Sequence, residues 1–561
     1  MKPDLKTRHG GRILADALAA QGVKLAFGVP GESYLPLLDG LRDLQGRLSF
    51  IVCRQEGGAS YMAEAYGKLT GEPGVLMVTR GPGATNGSIG VHTGFQDSTP
   101  MVVLIGQVGN EFSDREAFQE IDYRRMYGQM AKWVAQIDRV ERIPEYVSHA
   151  FHTATAGRPG PVVLALPEDT LFGQAAVADP LRHHVVRPAP SRHQMGELEK
   201  LLSNAERPFV IVGGGGWERD STRRLQAWAE AASLPVGTSF RCQDLFDNRS
   251  ASYAGDVGIG INPALAQRVK DADVLLVIGA RLGEMTTSGY SLLEVPQPRQ
   301  TLIHVHAGAE ELGRVYRPAL AINSGYPQFV EALAELSLSR GTWKGRTETA
   351  RREYLEWTEP RPMPGRLQYG EVVRWLSDTL PEDAIVAGGA GNFSGWLHRH
   401  FRYKGFRTQL GPTNGSMGYG LPAAVAAKLA QPSRTVLAVC GDGDFLMNGQ
   451  ELATAVQYGA AFVALVVNNG LYGTIRMHQE REYPGRVFGT ALKNPDFAAY
   501  ARAFGAHGET VETTEEFAPA YARAAASGLP ALIELRIDPE AITPATTLTA
   551  IREKARKAQS R

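Results

Sequence analysis

Cysteine is scarce in this chain: Cys53, Cys242 and Cys440 are the only three in 561 residues, odd in number and far apart. That argues against a disulfide framework or a zinc cluster, and a reducing, cytoplasmic setting is expected. Excess charge of one sign is absent too. Lys plus Arg equals Asp plus Glu at 59 each, so nothing draws the chain to nucleic acid or to a membrane surface. No uninterrupted run of about 18 apolar residues occurs, so no membrane span is expected. The stretch Met1 to Gly10 is polar and holds no apolar signal core. The stretch Arg552 to Arg561 is basic and reads as a frayed helix.

Apolar residues make up 43% of the chain. A single core rarely exceeds roughly 250–300 residues, so two or three domains are expected. Short β-branched runs recur, each followed by Gly or Pro and then a helical pattern. Val75–Thr79, Met101–Gly106 and Val162–Leu166 read as strands in the first third. Phe209–Val212, Val274–Gly279 and Thr301–His306 do so in the middle. Ala384–Ala387, Thr435–Cys440, Phe462–Asn468 and Ala531–Ile537 follow in the last third. Such continuous apolar runs suit strands buried on both faces of a parallel sheet. Helical segments alternate with them, as at Arg12–Gln21, Ser60–Leu69, Leu421–Leu429 and Gln450–Tyr458. The alternation gives an α/β class with crossover connections. Pro180–Pro190 and the charged stretch Gly341–Pro364 read as linkers. Cutting there predicts three doubly wound parallel-sheet domains, at 1–178, 190–342 and 366–545.

Ligands of open parallel sheets bind beyond the carboxyl ends of strands. The strand Thr435–Cys440 runs into Gly441, Asp442, Gly443 and Asp444, and the strand Phe462–Asn468 runs into Asn469 and Gly470. Asn469 lies 27 residues after Asp442, room for one helix and a return strand that bring both side chains out at adjacent strand ends. Mg²⁺ wants about six oxygen ligands and rarely has an all-protein cage. One carboxylate, one amide oxygen, one carbonyl, a water and two diphosphate oxygens would satisfy it. The flanking glycines let the backbone approach phosphates closely. Either half alone reads equally well as an ordinary Asp or Asn-Gly turn.

The combined spacing resembles the signature of the thiamine diphosphate enzymes, and nearly the whole chain resembles that superfamily. The resemblance implies a pyrimidine-binding first domain, a Rossmann-like central domain and a diphosphate-binding last domain. It implies that Asp442 and Asn469 hold Mg²⁺ through side chains and Leu471 through its carbonyl. Gly391, Asn392, Gly443 and Gly473 become diphosphate contacts. Asp444 stands where the superfamily often has Ser, and is expected to turn away from the diphosphate or contact another side chain. In Asn414-Gly-Ser-Met-Gly418 the resemblance makes the Gly415 carbonyl an acceptor for the cofactor's exocyclic amine. Met417 becomes the wedge between its rings, although a buried Met is usually core filler.

The cofactor's pyrimidine needs a carboxylic acid at its ring nitrogen, able to give and take a proton. Glu56, in Val52-Cys-Arg-Gln-Glu-Gly-Gly58, matches that acid by position. A Glu at a helix start also simply favours the helix dipole. Pro30 and Gly31 match the turn lining the pyrimidine, and Asn86, in Arg80-Gly-Pro-Gly-Ala-Thr-Asn86, matches the Asn beside it. In this superfamily the acid and the metal site meet across subunits, so a homodimer or homotetramer is implied.

Within the superfamily the resemblance is to the acetolactate synthase catalytic subunit and its relatives. Asp97–Val103, Gly106–Val108, Ala117–Asp122 and Gly449–Ala455 carry it. It implies decarboxylation of a 2-oxo acid and joining of the remaining fragment to a second carbonyl. Gln107, Phe118 and Lys132 would shape the pocket; Gln107 reads equally as a sheet-end polar residue and Lys132 as a solvated one. His478 stands near the place of a tryptophan in acetolactate synthases, as a proton donor or a surface residue. The central domain's Ile211–Gly216 and Gly279–Arg281 resemble a flavin-carrying domain. The usual acidic pattern there reads His304-Val-His306-Ala307, so a purely structural central domain is expected over bound FAD. The alternatives are a thiamine diphosphate decarboxylase or lyase of hydroxy ketones or acyl-CoA without ketol synthesis, and a catalytically silent binding protein. Paired first-domain histidines, as in pyruvate decarboxylases, are missing.

Overall fold

A computed structural model describes residues 6–336, 338 and 343–560. Three parallel sheets of six strands follow one another, with helices between the strands. The first runs Ser49–Val52, Leu25–Gly28, Gly74–Val78, Met101–Gln107, Pro161–Pro167, Trp133–Gln136 in spatial order. The central one runs Tyr253–Val257, Val236–Ser239, Phe209–Val212, Val274–Ile278, Thr301–His306, Leu320–Asn323. The last runs Gln409–Leu410, Ile385–Gly388, Val436–Gly441, Val463–Asn468, Ala531–Arg536, His507–Val511.

The expected α/β class and its three sheets are therefore present, and every strand anticipated from sequence appears within about two residues of its expected ends. Inner strands such as Gly74–Val78, Met101–Gln107 and Val274–Ile278 are buried along their whole length. Helices on both faces exclude water, which is why their sequences are continuously apolar. In each sheet strand order reverses beside the first strand in chain order, opening a crevice at the carboxyl ends of two neighbours. The neighbours are Leu25–Gly28 and Gly74–Val78 in the first sheet, Phe209–Val212 and Val274–Ile278 in the central one, and Ile385–Gly388 and Val436–Gly441 in the last.

The chain divides into two compact units. One holds Met1–Val186 with Val425–Pro432 and Ala453–Tyr458; the other holds Arg187–Ala424, Ser433–Leu452 and Gly459–Arg561. The first unit thus takes two helical pieces from within the expected 366–545 domain, and the Tyr458 hydroxyl accepts from the Val52 amide there at 2.8 Å.

The stretch Pro180–Pro190 has neither helix nor strand, as a linker should. The second expected linker is a correction. Gly341 and Thr342 lie outside the described residues, but Lys344–Trp357 is a helix. It buries Thr347, Ala350 and Tyr354, a stripe of helical spacing hidden in a charged run, and Tyr354 packs edge-on against Tyr253 at 5.0 Å. The basic end forms a helix over Leu548–Gln559, and Arg552 ties it to buried Glu480 at 2.7 Å. Among the described residues no helix is long and apolar enough to cross a membrane.

Candidate active site

In the last sheet the crevice opens into a cavity of about 720 Å³. Every residue expected at the diphosphate end, from Gly391 to Gly473, lines it. The exception is His478. The helix Gly473–Glu482 turns that residue to solvent, where its Nδ1 accepts from Arg481, and presents Ile475 and Met477 to the cavity instead.

Asp442 opens a short helix directly after the strand Val436–Gly441, so backbone N–H groups surround its carboxylate. Oδ1 accepts from Gly443 at 2.9 Å; Oδ2 accepts from the Gly470 amide at 2.9 Å and from Asn494 Nδ2 at 2.7 Å. Burial pushes the carboxyl's pKa up, and these donors oppose that. Asn494 also donates to Asn468 Oδ1 at 2.9 Å, and Asn468 donates to Glu534 Oε1 at 2.7 Å. This chain of amides fixes the orientation of Asp442. Neither Asn494 nor Glu534 carries a sequence signal, because each reaches the site from a distant segment. Among the described residues no three His, Cys, Asp or Glu side chains gather as a metal cluster. One carboxylate with amide and carbonyl oxygens on the same cavity wall is the hard-oxygen set that Mg²⁺ accepts, so Asp442, Asn469 and Leu471 fit that ion.

Asp444 is only 2% exposed, and backbone amides engage its carboxylate. Its Oδ1 accepts from the Ala390 amide at 3.1 Å and the Gly418 amide at 2.8 Å. Gly418 has a φ of +83°, and a Cβ there would lie 2.7 Å from Asn448 Nδ2, so only glycine fits. Arg241, from the central domain, donates to the Gly389 carbonyl at 2.8 Å. The Asn392 side chain is engaged within the protein: Nδ2 donates to the Ile542 carbonyl at 3.1 Å and Oδ1 accepts from Thr474 at 2.9 Å. Any contact from this turn to a diphosphate therefore falls to the backbone.

In the first sheet, Glu56 begins the helix Glu56–Thr70. Gln55 caps that helix through the Gly57 and Gly58 amides. Asn86 Nδ2 donates to Glu56 Oε2 at 3.0 Å, joining two of the expected residues. A Cβ on Gly83 would lie 3.3 Å from Glu56 Oε1, and one on Gly31 would lie 2.6 Å from Thr79, so both turns approach closely. Pro30 is exposed at the same strand end. Burial and the nearby Glu56 raise the pKa of the Tyr34 hydroxyl, which donates to the Val29 carbonyl.

Gln107 is buried and holds a loop: Nε2 donates to the Ile121 carbonyl at 2.9 Å. That loop carries Phe118, 72% exposed, and Arg80 Nε donates to its carbonyl at 3.1 Å. Lys132 is not brought to these residues. It precedes the strand Trp133–Gln136, at the amino edge of the sheet, and caps the helix Ile143–Thr155 by donating to the Thr153 and Ala156 carbonyls.

The crevice of the central sheet is filled. A Cβ on Gly214 would lie 2.2 Å from the Gly279 carbonyl oxygen, and one on Gly279 would lie 2.3 Å from that of Gly213. Trp217 Nε1 donates to the Gly213 carbonyl at 2.9 Å, and its ring stacks on Tyr326 at 4.8 Å, both buried. A nearby cavity measures about 140 Å³, and Arg281, His304 and Glu311 on its wall are bonded to protein. That is below the roughly 300 Å³ at which ligand pockets begin. The turns at Gly213, Gly214 and Gly279 therefore leave no room between them for a dinucleotide.

Residues 8–126 match the family described as thiamine pyrophosphate enzyme, N-terminal TPP binding domain. Residues 195–333 match its central domain and residues 389–535 its C-terminal TPP binding domain. A probable acetolactate synthase large subunit of Methanocaldococcus jannaschii is 31% identical, over 95% of this chain and 93% of the relative. The acetolactate synthase isozyme 2 large subunit of Escherichia coli K12 is 30% identical, over 94% of this chain and 96% of its own. The acetolactate synthase large subunit of Lactococcus lactis is 31% identical, over 89% and 88%. The chain belongs to the thiamine pyrophosphate enzymes, in the branch that includes the acetolactate synthase large subunits.

Proposed function

We propose that this enzyme decarboxylates a 2-oxo acid and joins the remaining fragment to a second carbonyl, using thiamine diphosphate and Mg²⁺. The observation that carries the reading is the convergence of Asp442, Asn469 and Leu471 with the Gly391 turn on one cavity. Thiamine diphosphate, when bound, supplies a thiazolium ring that accepts the electron pair of the breaking carbon–carbon bond. Asp442, Asn469 and the Leu471 carbonyl hold the metal, with Asn494 orienting Asp442. Backbone amides near Gly391, Gly443 and Gly473 face the diphosphate, and Met417 and the Gly415 carbonyl hold the ring pair. Glu56 holds a proton at the pyrimidine nitrogen, and Asn86 fixes its other oxygen.

Phe118 meets substrate and Gln107 supports its loop; Lys132 and His478 are left outside the site. The central domain is structural in this reading, and absorption spectra of purified protein are expected to show no flavin band. A cytoplasmic homodimer or homotetramer completes the reading; sedimentation tests the assembly. The helix Gly473–Glu482 gives the cavity aliphatic Ile475 and Met477. The lack of an aromatic side chain from it favours a second reading, release of an aldehyde without ketol synthesis.

Protein, thiamine diphosphate and Mg²⁺ incubated with a panel of 2-oxo acids including pyruvate give CO₂ and a ketol under the first reading, CO₂ and an aldehyde under the second. No CO₂ from any acid contradicts both. Glu56→Gln lowers turnover by about 10²–10⁴ with cofactor affinity largely retained; an unchanged rate removes Glu56 from the site.

A further inference from the structure

Asp444 is a buried carboxylate beside a proposed diphosphate site, where like charge would repel. Its surroundings give it a different task. Oδ1 alone accepts from both Ala390 and Gly418. Ala390 lies in the turn after Ile385–Gly388, and Gly418 ends the loop that carries Gly415 and Met417. Those two loops follow the neighbouring strands Ile385–Gly388 and Gln409–Leu410, and Oδ1 bonds to both loops. Oδ2 is buried and makes no hydrogen bond among the described residues. It packs on Gly389, where an added Cβ would lie 2.0 Å away. Gly389 in turn is held from the other side by Arg241, whose guanidinium offsets part of the carboxylate's charge.

We propose that Asp444 is a positioning residue whose one oxygen locks the diphosphate turn to the loop beneath the cofactor rings. The inference rests on the cofactor reading above. Its requirement is an acceptor at Oδ1, because that one oxygen takes both amide bonds. A serine at this position would be too short to span to both amides.

Three proteins separate these ideas in a calorimetric titration with thiamine diphosphate and Mg²⁺: wild type, Asp444→Asn and Asp444→Ala. Asparagine keeps the carbonyl oxygen at Oδ1 and is expected to bind within about threefold of wild type. Alanine loses both bonds and is expected to bind at least about tenfold more weakly. Alanine binding like wild type overturns the proposal, as does asparagine binding as weakly as alanine, which would make the charge the working feature. If wild type itself binds no thiamine diphosphate, the cofactor reading fails instead. Should Asp444→Ala not fold, hydrogen exchange on the wild-type protein decides. Slow exchange at Ala390 and Gly418 supports the lock, and exchange at open-chain rates contradicts it.

Discussion

The central and last sheets have six parallel strands each and reverse strand order beside their first strand in chain order, yet one crevice is shut and the other open. In the central sheet two glycine turns touch backbone to backbone, and Trp217 and Tyr326 cover them. In the last sheet the turn after Val436–Gly441 carries Asp444, which accepts from Ala390 in the facing turn, and Asp442 and Asn469 line the open cavity. A glycine-rich turn at a strand end is thus a permission for close approach, not a ligand site. What it admits depends on the side chains that follow: large apolar ones close the central crevice, whereas acids and amides stand at the mouth of the open one.

Removing the acid should separate the two regions most sharply. Asp442→Ala is expected to weaken metal-dependent thiamine diphosphate binding by more than about 10²-fold, since a ligand to the ion is lost. The melting transition of the protein should shift little; calorimetry reads both. Trp217→Ala is the mirror experiment. It should cost about 3–5 kcal/mol of stability by leaving a cavity under Tyr326, with cofactor affinity unchanged. If Trp217→Ala instead uncovers flavin binding in a titration, the crevice is a masked site and the contrast between the two sheets fails.

A pH effect sharpens the same contrast. Burial among protein groups depresses the pKa of His304 in the central sheet from 6.5 to about 4. A histidine depressed in the folded state favours folding above its unfolded pKa and loses that contribution as pH falls through the window from 6.5 to about 4. The loss is on the order of 3 kcal/mol at the low end. Denaturant melts of wild type and His304→Gln across that window should converge at acid pH. The smallest effect is expected from Asn494→Ala. It leaves every metal ligand in place but frees Asp442 to rotate, lowering metal affinity by about 10–100-fold. Titration of Mg²⁺ at fixed thiamine diphosphate measures it.

The parts legible in the sequence are those in which local pattern and final environment coincide. Strands such as Val274–Ile278 are apolar throughout because both faces are covered. The edge strands Trp133–Gln136 and His507–Val511 are partly exposed, carry mixed residues and escaped notice. The helix Lys344–Trp357 was hidden because its buried stripe is narrow against a charged background. Asp442 and Asn469 stood out because glycine flanks and strand spacing are local. Arg241, Asn494 and Glu534 act across long sequence separations, so no window contains both partners. His478 and Lys132 lie in segments that resemble the site's neighbourhood, but helical phase points one outward and strand direction puts the other at the far edge of its sheet.

The most direct test is an equilibrium titration of the intact protein with thiamine diphosphate, with Mg²⁺ and with the metal removed by a chelator, and Asp442→Ala as control. Saturable binding of one cofactor per chain that needs the metal and vanishes in the variant is the predicted result. Binding that ignores both the chelator and the substitution, or no binding at all, contradicts the assignment of the open crevice.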